Sequence, residues 1–110
     1  TKINQSHWYF SAGQGMGEVL MMSGEMRAYT LTDRGTYIAF RDRIGLPILM
    51  EGDPPMFNPY GIIAVNPKKY PDVNYKGATA LINWITSKEG QQWFACFKGH
   101  GEQLFMQSAK

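Results

Sequence analysis

Four short apolar runs alternate with segments of helical periodicity, and this alternation is the feature that most constrains the fold. The strand-like runs are residues 7–11, 27–31, 46–51 and 60–66. Glycine and proline separate them from segments of about ten residues in which apolar side chains recur at helical spacing. Strands that alternate with helices of this length predict an α/β architecture with a mainly parallel sheet.

Residues that favour helix starts and ends place four helices in this pattern. Thr32 and Asp33 are good N-cap candidates for the second helix, and Gly45 is a good terminating residue for it. Ser87 is the predicted N-cap of the fourth helix, which is expected to turn Trp93, Phe94 and Phe97 inward. The predicted helices are the segment that follows the turn 13–17, residues 34–43, residues 75–86 and the segment after Ser87.

Charge and hydropathy exclude several classes of function. The net charge of +2 comes from 11 basic and 9 acidic residues spread along the chain, so no nucleic-acid partner is expected. The longest aliphatic run, residues 62–65, is far shorter than the ~20 residues of a spanning helix. The N-terminal residues show no signal-peptide pattern, which leaves a secreted origin open. Cys96 is the only cysteine, so no intrachain disulfide is expected.

Catalytic and metal-binding interpretations find little support. His7 and His100 lie far apart, and no glycine-flanked serine suggests a nucleophile, so no catalytic residue is predicted. Cys96 and His100 could share a helical face, but two ligands do not make a zinc site. The remaining alternative is a small α/β interaction module that binds a protein through the methionines of the first helix: Met16, Met21, Met22 and Met26.

The glycine-rich turn 13–17 is the first candidate binding element. It contains three glycines in five residues and opens the first predicted helix. A helix N-terminus presents unpaired N–H groups and about half a positive charge, which together suit an anion. The candidate donors are the backbone amides of Gly15, Met16 and Gly17, although a plain tight turn would explain the same glycines.

The second candidate element lies between the second strand-like run and the second helix. Hydroxyls come from Thr30, Thr32 and Thr36, and Arg34 adds a fork of N–H donors. A capping role for Thr32 or Asp33, with Arg34 in solvent, is an equally good interpretation. Asp33 either orients neighbouring donors or accepts a proton from the ligand. Phosphate carries a proton near neutral pH and would require such an acceptor, whereas tungstate, molybdate and sulfate are fully ionised and would not.

Three ordered segments resemble the C-terminal half of the tungstate-binding receptors of ABC transporters, and the similarity continues from residues 87–91 to Phe105. The segments are GQGMGEVL at residues 13–20, AYTLTDRGTY at residues 28–37 and NPYGIIAVNP at residues 58–67.

The resemblance implies a type II periplasmic-binding-protein fold, present here only in part, and a site that closes on a tetrahedral oxyanion between two lobes. It implies that residues 1–57 belong to the second lobe with the oxyanion-binding turns, that residues 58–67 form a crossover or hinge strand, and that residues 68–110 pack on the first lobe. Thr30 takes the place of a ligand tyrosine of the related molybdate receptors. The implied ligand set is Thr30, Gly15, Met16, Gly17, Thr32, Arg34 and Thr36.

The resemblance also implies the ligand, the partners and the location. The ligand would be tungstate or molybdate, with phosphate or sulfate as alternatives, and no cofactor or protein-bound metal is implied. The partner would be an ABC permease, and the location would be periplasmic or otherwise extracytoplasmic. Because the segment would lack much of both sheets, a partner or self-association with a second copy is a further expectation.

Overall fold

A computed structural model describes residues 5–109 as two compact units. The first unit extends to Pro47 and the second begins at Ile48. Residues 1–4 of the predicted lobe segment 1–57, and Lys110 of the segment 68–110, lie outside the described residues. The predicted lobe assignments themselves stay predictions. No helix among residues 5–109 is long and apolar enough to cross a membrane.

The first unit is a pair of helices, α1 (Met16–Met26) and α2 (Arg34–Ile44). Its buried apolar side chains are Leu20 on α1 and Ile38 and Ile44 on α2. Ser23 is buried with them, and its hydroxyl donates a hydrogen bond to the Val19 carbonyl oxygen at 2.7 Å, so this polar group is satisfied inside its own helix. The pair is therefore held by a small apolar contact along one face of each helix.

Two glycines of α1 set how closely α2 approaches. A Cβ atom at Gly17 would lie 3.1 Å from the Phe40 ring, and one at Gly24 would lie 3.0 Å from the Ile44 carbonyl oxygen. Gly24 is unfavourable for the helix in isolation. Its place in the last turn of α1 is explained by this contact, because any side chain there would push Ile44 away.

Both helices end at a residue in the left-handed backbone conformation. Arg27 has φ 52° and closes α1 with hydrogen bonds from Arg27 N–H to the Gly24 carbonyl and from Ala28 N–H to the Ser23 carbonyl, the pattern of a Schellman motif. Gly45, with φ 62°, ends α2 as the sequence predicts.

The second unit contains a 3₁₀ turn (Pro54–Met56), α3 (Tyr75–Thr86), α4 (Lys88–Cys96) and a hairpin of β1 (Lys98–Gly99) and β2 (Glu102–Gln103). The predicted bounds of α3 are confirmed, and its N-cap is Asn74, which accepts from Gly77 N–H at 2.9 Å. Ser87 is confirmed as the N-cap of α4. It also closes α3, because its hydroxyl donates to the Trp84 carbonyl oxygen at 2.6 Å.

Side-chain contacts of Gln91 and Phe105 hold the last described residues of the second unit. The Gln91 side chain donates to the Ile85 carbonyl at 2.8 Å and accepts from Ser108 N–H and Ala109 N–H at 3.2 Å each. The Phe105 ring makes edge contacts with Phe94 on α4 and with Tyr60. Sequence analysis missed the hairpin, whose turn places His100 and Gly101 at positive φ, as a two-residue type I′ turn requires.

The predicted strands do not form within the described residues. Residues 7 and 8 lie in a turn, and residues 28–31, 46–51 and 60–66 carry neither helix nor strand pairing. A strand needs a neighbour about 4.8 Å away to complete its backbone hydrogen bonds, and only β1 and β2 supply one another with such a neighbour in residues 5–109. Apolar side chains of these segments are consequently exposed, including Tyr29 at 91% and Ile63 at 88%.

The predicted inward face of the fourth helix is correct for one of its three aromatic residues. Phe94 is half-buried against Phe105, whereas Trp93 and Phe97 are exposed at 64% and 56%. Helical spacing identifies an apolar face but not what covers it, and no other segment of the second unit buries these two rings.

Replacing Gly90 with alanine is expected to destabilise the α3–α4 corner. A Cβ atom at this buried glycine would overlap the Trp84 carbonyl oxygen and lie 3.0 Å from that of Ile85. Alanine favours a helix over glycine by up to about 1 kcal/mol, but overpacking against backbone costs about 1–3 kcal/mol. We therefore expect a net loss of unfolding free energy, measured by urea denaturation of the complete polypeptide that the gene encodes.

Gly61→Ala is the matched control, because a Cβ atom at Gly61 meets nothing within 4 Å. Equal stability of the Gly90 and Gly61 variants would show that the corner tolerates a side chain.

Candidate functional site

The N-terminus of α1 exposes donor groups, as the sequence predicts. Gly15 is the N-cap in an extended conformation, and no side chain caps the helix. The first backbone bond of the helix runs from Val19 N–H to the Gly15 carbonyl at 3.0 Å. The amides of Met16 and Gly17 precede that bond and have no acceptor inside the helix. Gly15 and Met16 are exposed and Gly17 is half-buried.

Glu18 lies over this N-terminus, a feature that sequence analysis missed. A Cβ atom at Gly15 would lie only 2.7 Å from Glu18 Oε2, so the carboxylate folds back over the N-cap. The signal was present in the sequence, since an acidic residue three positions after an N-cap commonly reaches back in this way. The carboxylate stabilises the helix N-terminus and repels any anion that approaches it.

At the start of α2, Asp33 is the N-cap and accepts two hydrogen bonds from Thr36. Asp33 Oδ2 accepts from Thr36 N–H at 2.9 Å, and Asp33 Oδ1 accepts from the Thr36 hydroxyl at 2.6 Å. Of the two interpretations that the sequence leaves open, the structure shows the capping role of Asp33. Thr36 gives its hydroxyl hydrogen to Asp33, so the hydroxyl has no hydrogen left to donate to a ligand in this arrangement.

The hydrogen bonds also set the charge of Asp33. Partial burial of the carboxyl group raises its pKa, but this effect is outweighed by hydrogen bonds from the Thr36 hydroxyl and from the amides of Thr36, Asp33 and Gly35. The pKa of Asp33 consequently lies below its ordinary value, and the side chain is a carboxylate at neutral pH.

The remaining predicted residues of this turn differ in their surroundings. The Thr30 side chain is exposed and makes no hydrogen bond to another residue in the part of the chain that is described. The Thr32 hydroxyl makes one long contact of 3.5 Å with the Asp33 carbonyl oxygen. Arg34 is exposed on the first turn of α2. The Thr30 hydroxyl is therefore an exposed side-chain donor at this turn.

Two close contacts define the relative direction of α1 and α2. Gly17 meets Phe40, and seven residues further on Gly24 meets Ile44, so the contacts follow the same order along both helices. Helices with contacts in this order run in the same general direction. The contact of Gly17, on the first turn of α1, with Phe40, in the second half of α2, also shows that the two N-termini are offset along the helix axes.

The groups exposed at the two helix starts are hydrogen-bond donors. Among residues 5–109, no three His, Cys, Asp or Glu side chains are grouped closely enough to hold a metal ion. The amides of α1 and the Thr30 hydroxyl are neutral donors, which can hold an oxyanion when a helix N-terminus adds its field.

Comparison with known proteins identifies the family of the chain. The model of the PBP superfamily domain matches residues 2–89. The chain belongs to the PBP superfamily. This confirms the predicted family and fold class.

Three relatives of this PBP chain are similar to it over 107 residues. One is a protein of Haloferax volcanii described as an ABC transporter anion-binding protein. It is 46% identical, and the match covers 93% of this chain. The tungstate-binding proteins TupA of Peptoclostridium acidaminophilum and Campylobacter jejuni are 43% and 39% identical, with 96% and 94% of this chain covered. The chain spans only 31%, 37% and 40% of the lengths of these three proteins, respectively.

Asp33→Ala is expected to reduce the unfolding free energy by about 0.5–2 kcal/mol at neutral pH, because the helix loses its N-cap. The folded-state pKa of Asp33 lies below that of the unfolded chain. Its stabilisation is therefore complete above the unfolded value of about 3.9 and is lost as the pH falls through the lower, folded value. Denaturation of both proteins at several pH values should show the difference shrinking in acid.

Asp53→Ala is the control for this experiment. Asp53 is the N-cap of the 3₁₀ turn but makes no side-chain capping bond. A difference between wild type and Asp33→Ala that persists undiminished at pH 2 would contradict the capping role of the charged carboxylate.

Proposed function

We propose that this PBP chain is the oxyanion-binding part of an extracytoplasmic solute receptor that delivers tungstate or molybdate to an ABC permease. The observation that carries the proposal is the common direction of α1 and α2, each of which begins at a turn that contains predicted donors. The names of the TupA relatives support the choice of tungstate.

Donor geometry supports a fully ionised ligand. Tungstate and molybdate present only acceptor oxygens at neutral pH, and the candidate site offers the amides of Met16 and Gly17 and the hydroxyl of Thr30. Thr32 and Arg34 border the same turn and belong to the proposed ligand set. Thr36 contributes through Asp33 rather than by direct donation.

Exposed apolar segments support a receptor in which other strands complete the sheet. Leu31 is 70% exposed and Ile63 is 88% exposed, and neither lies in a paired strand. Surfaces of this kind mark sites of association. We propose that further strands of the receptor cover these segments, and that a second copy of the segment would do so when it stands alone.

Calorimetric titration of the complete polypeptide with tungstate, molybdate, sulfate and phosphate tests the receptor function. Thr30→Ala should weaken tungstate binding by roughly tenfold or more, since a hydrogen bond to a charged group contributes about 1.5–3 kcal/mol. Thr30→Ser keeps the hydroxyl and should bind nearly as well as wild type.

Thr79→Ala is a distant control, because the Thr79 hydroxyl donates to the Tyr75 carbonyl within α3. Failure of the wild-type polypeptide to bind any of the four anions would reject the receptor function and favour the interaction module. Unchanged affinity in Thr30→Ala would remove Thr30 from the site.

Glu18→Gln should tighten tungstate binding by roughly two- to fivefold at low salt. At a separation of about 8 Å in water, the carboxylate over the α1 N-terminus repels a dianion by about 1 kcal/mol, and the amide removes that repulsion. The gain should shrink as salt is added, because exposed charges are screened.

Glu25→Gln is the matched control, since Glu25 lies on the last turn of the same helix. An equal effect of the two substitutions would indicate that net charge, rather than the position of Glu18, governs affinity.

A further inference from the structure

We propose that the Phe105 ring anchors the crossover segment, residues 58–67, to α4 and so determines where the receptor bends. The ring lies between Tyr60, near the start of that segment, and Phe94 on α4. The inference rests on the proposed function, in which residues 58–67 connect two lobes that close on the anion. It assigns Phe105 as a positioning residue, which acts on ligand binding through Tyr60.

Two edge-to-face contacts link the three rings, all of which belong to the second unit. The ring centroids of Tyr60 and Phe105 are 6.1 Å apart, with 76° between the ring planes. Those of Phe94 and Phe105 are 6.4 Å apart, with 79° between the planes. Both pairs have the geometry that favours attraction between a ring edge and a ring face. Because Tyr60 is 75% exposed and Phe105 only 36%, the contact joins an exposed ring to a more buried one.

Hydrogen bonds hold the backbone on both sides of the Phe105 ring. The Gln103 side chain on β2 donates to the Phe105 carbonyl oxygen at 2.7 Å. The Gln91 side chain on α4 accepts from the backbone amides of residues 108 and 109 at 3.2 Å each. Phe105 is therefore restrained by the hairpin and by α4, and it can in turn restrain Tyr60.

The backbone around Tyr60 changes from restricted to permissive within two residues. The ring of Pro59 restricts its φ angle, whereas Gly61 has access to a much wider range of backbone angles. A Cβ atom at Gly61 would meet nothing within 4 Å, and residues 60–66 carry neither helix nor strand pairing. With Tyr60 held on α4, bending is confined to the residues before it. Once Tyr60 is released, rotation at Gly61 adds to the bending.

Loss of the anchor is expected to weaken anion binding. Closure on the anion must then order residues that the anchor already orders in the wild type. Phe105→Ala should raise the tungstate dissociation constant roughly five- to thirtyfold, the entropic cost of fixing one residue, in calorimetry of the complete polypeptide. Phe105→Tyr keeps the ring and should bind as the wild type does. If Phe105→Ala fails to fold by circular dichroism, Phe105→Leu, which lacks a ring edge, takes its place.

The double variant Tyr60→Ala/Phe105→Ala tests whether Phe105 acts through Tyr60. Tyr60→Ala alone should weaken binding by a similar factor, and the double variant by no more than either single one, because all three remove the same contact. Asn74→Ala is the stability control, since it removes the N-cap at the far end of α3 and should leave the affinity unchanged. Additive effects of the two ring substitutions, or an equal loss in Asn74→Ala, would show that stability governs affinity and would overturn the proposal.

Hydrogen exchange in the absence of ligand separates the two proposals. Release of Tyr60 in Phe105→Ala should speed exchange of the Gly61 and Ile62 amides by a factor similar to the loss of affinity. Unchanged exchange, or faster exchange with unchanged tungstate affinity, overturns the role of the anchor in closure. If the wild type binds none of tungstate, molybdate, sulfate and phosphate, the receptor function is rejected and the role in closure with it. The exchange rates then still decide whether Phe105 holds Tyr60.

Discussion

Close approach of α1 and α2 through Gly17 and Gly24 is the constraint on which the first unit depends. The two glycines let Phe40 and Ile44 reach the α1 backbone, and the order of these contacts gives both helices one direction. Parallel helices add their N-terminal fields, whereas antiparallel helices would place an N-terminus beside a C-terminus and weaken both. A packing requirement in the interior thus sets the direction in which both helix N-termini point.

The α2 turn shows how a helix start engages the charge of its own N-cap carboxylate. Asp33 is tied to Thr36 through two short hydrogen bonds, which hold its charge on its own helix start. Thr36 donates its hydroxyl hydrogen to Asp33, so only two of the three threonine hydroxyls of this turn, those of Thr30 and Thr32, are not bonded to the carboxylate. Counting residue types therefore overestimates the number of available donors at this turn, because a hydroxyl next to a carboxylate donates its hydrogen to that carboxylate.

Helices could be predicted from the sequence and strands could not, for a physical reason. Helix bonds and caps are local, so Ser87, Gly45 and the bounds of α3 follow from residues a few positions apart. A strand depends on a neighbour distant in sequence, and residues 60–66 show strand composition without a partner in the described part of the chain. For the site, motif order identified the turns, but side-chain bonding decided the availability of each group, as Glu18 and Thr36 show.

Ser87 has a consequence for how the second unit opens. Its hydroxyl donates to the last turn of α3 and accepts from Gly90 N–H at 3.1 Å on the first turn of α4. Fraying of either helix end breaks the hydrogen bond by which Ser87 holds the other end. Unwinding therefore spreads across the α3–α4 corner instead of stopping at it. We expect the amide protons on both sides of Ser87 to exchange with solvent at a shared rate, as a single cooperative element.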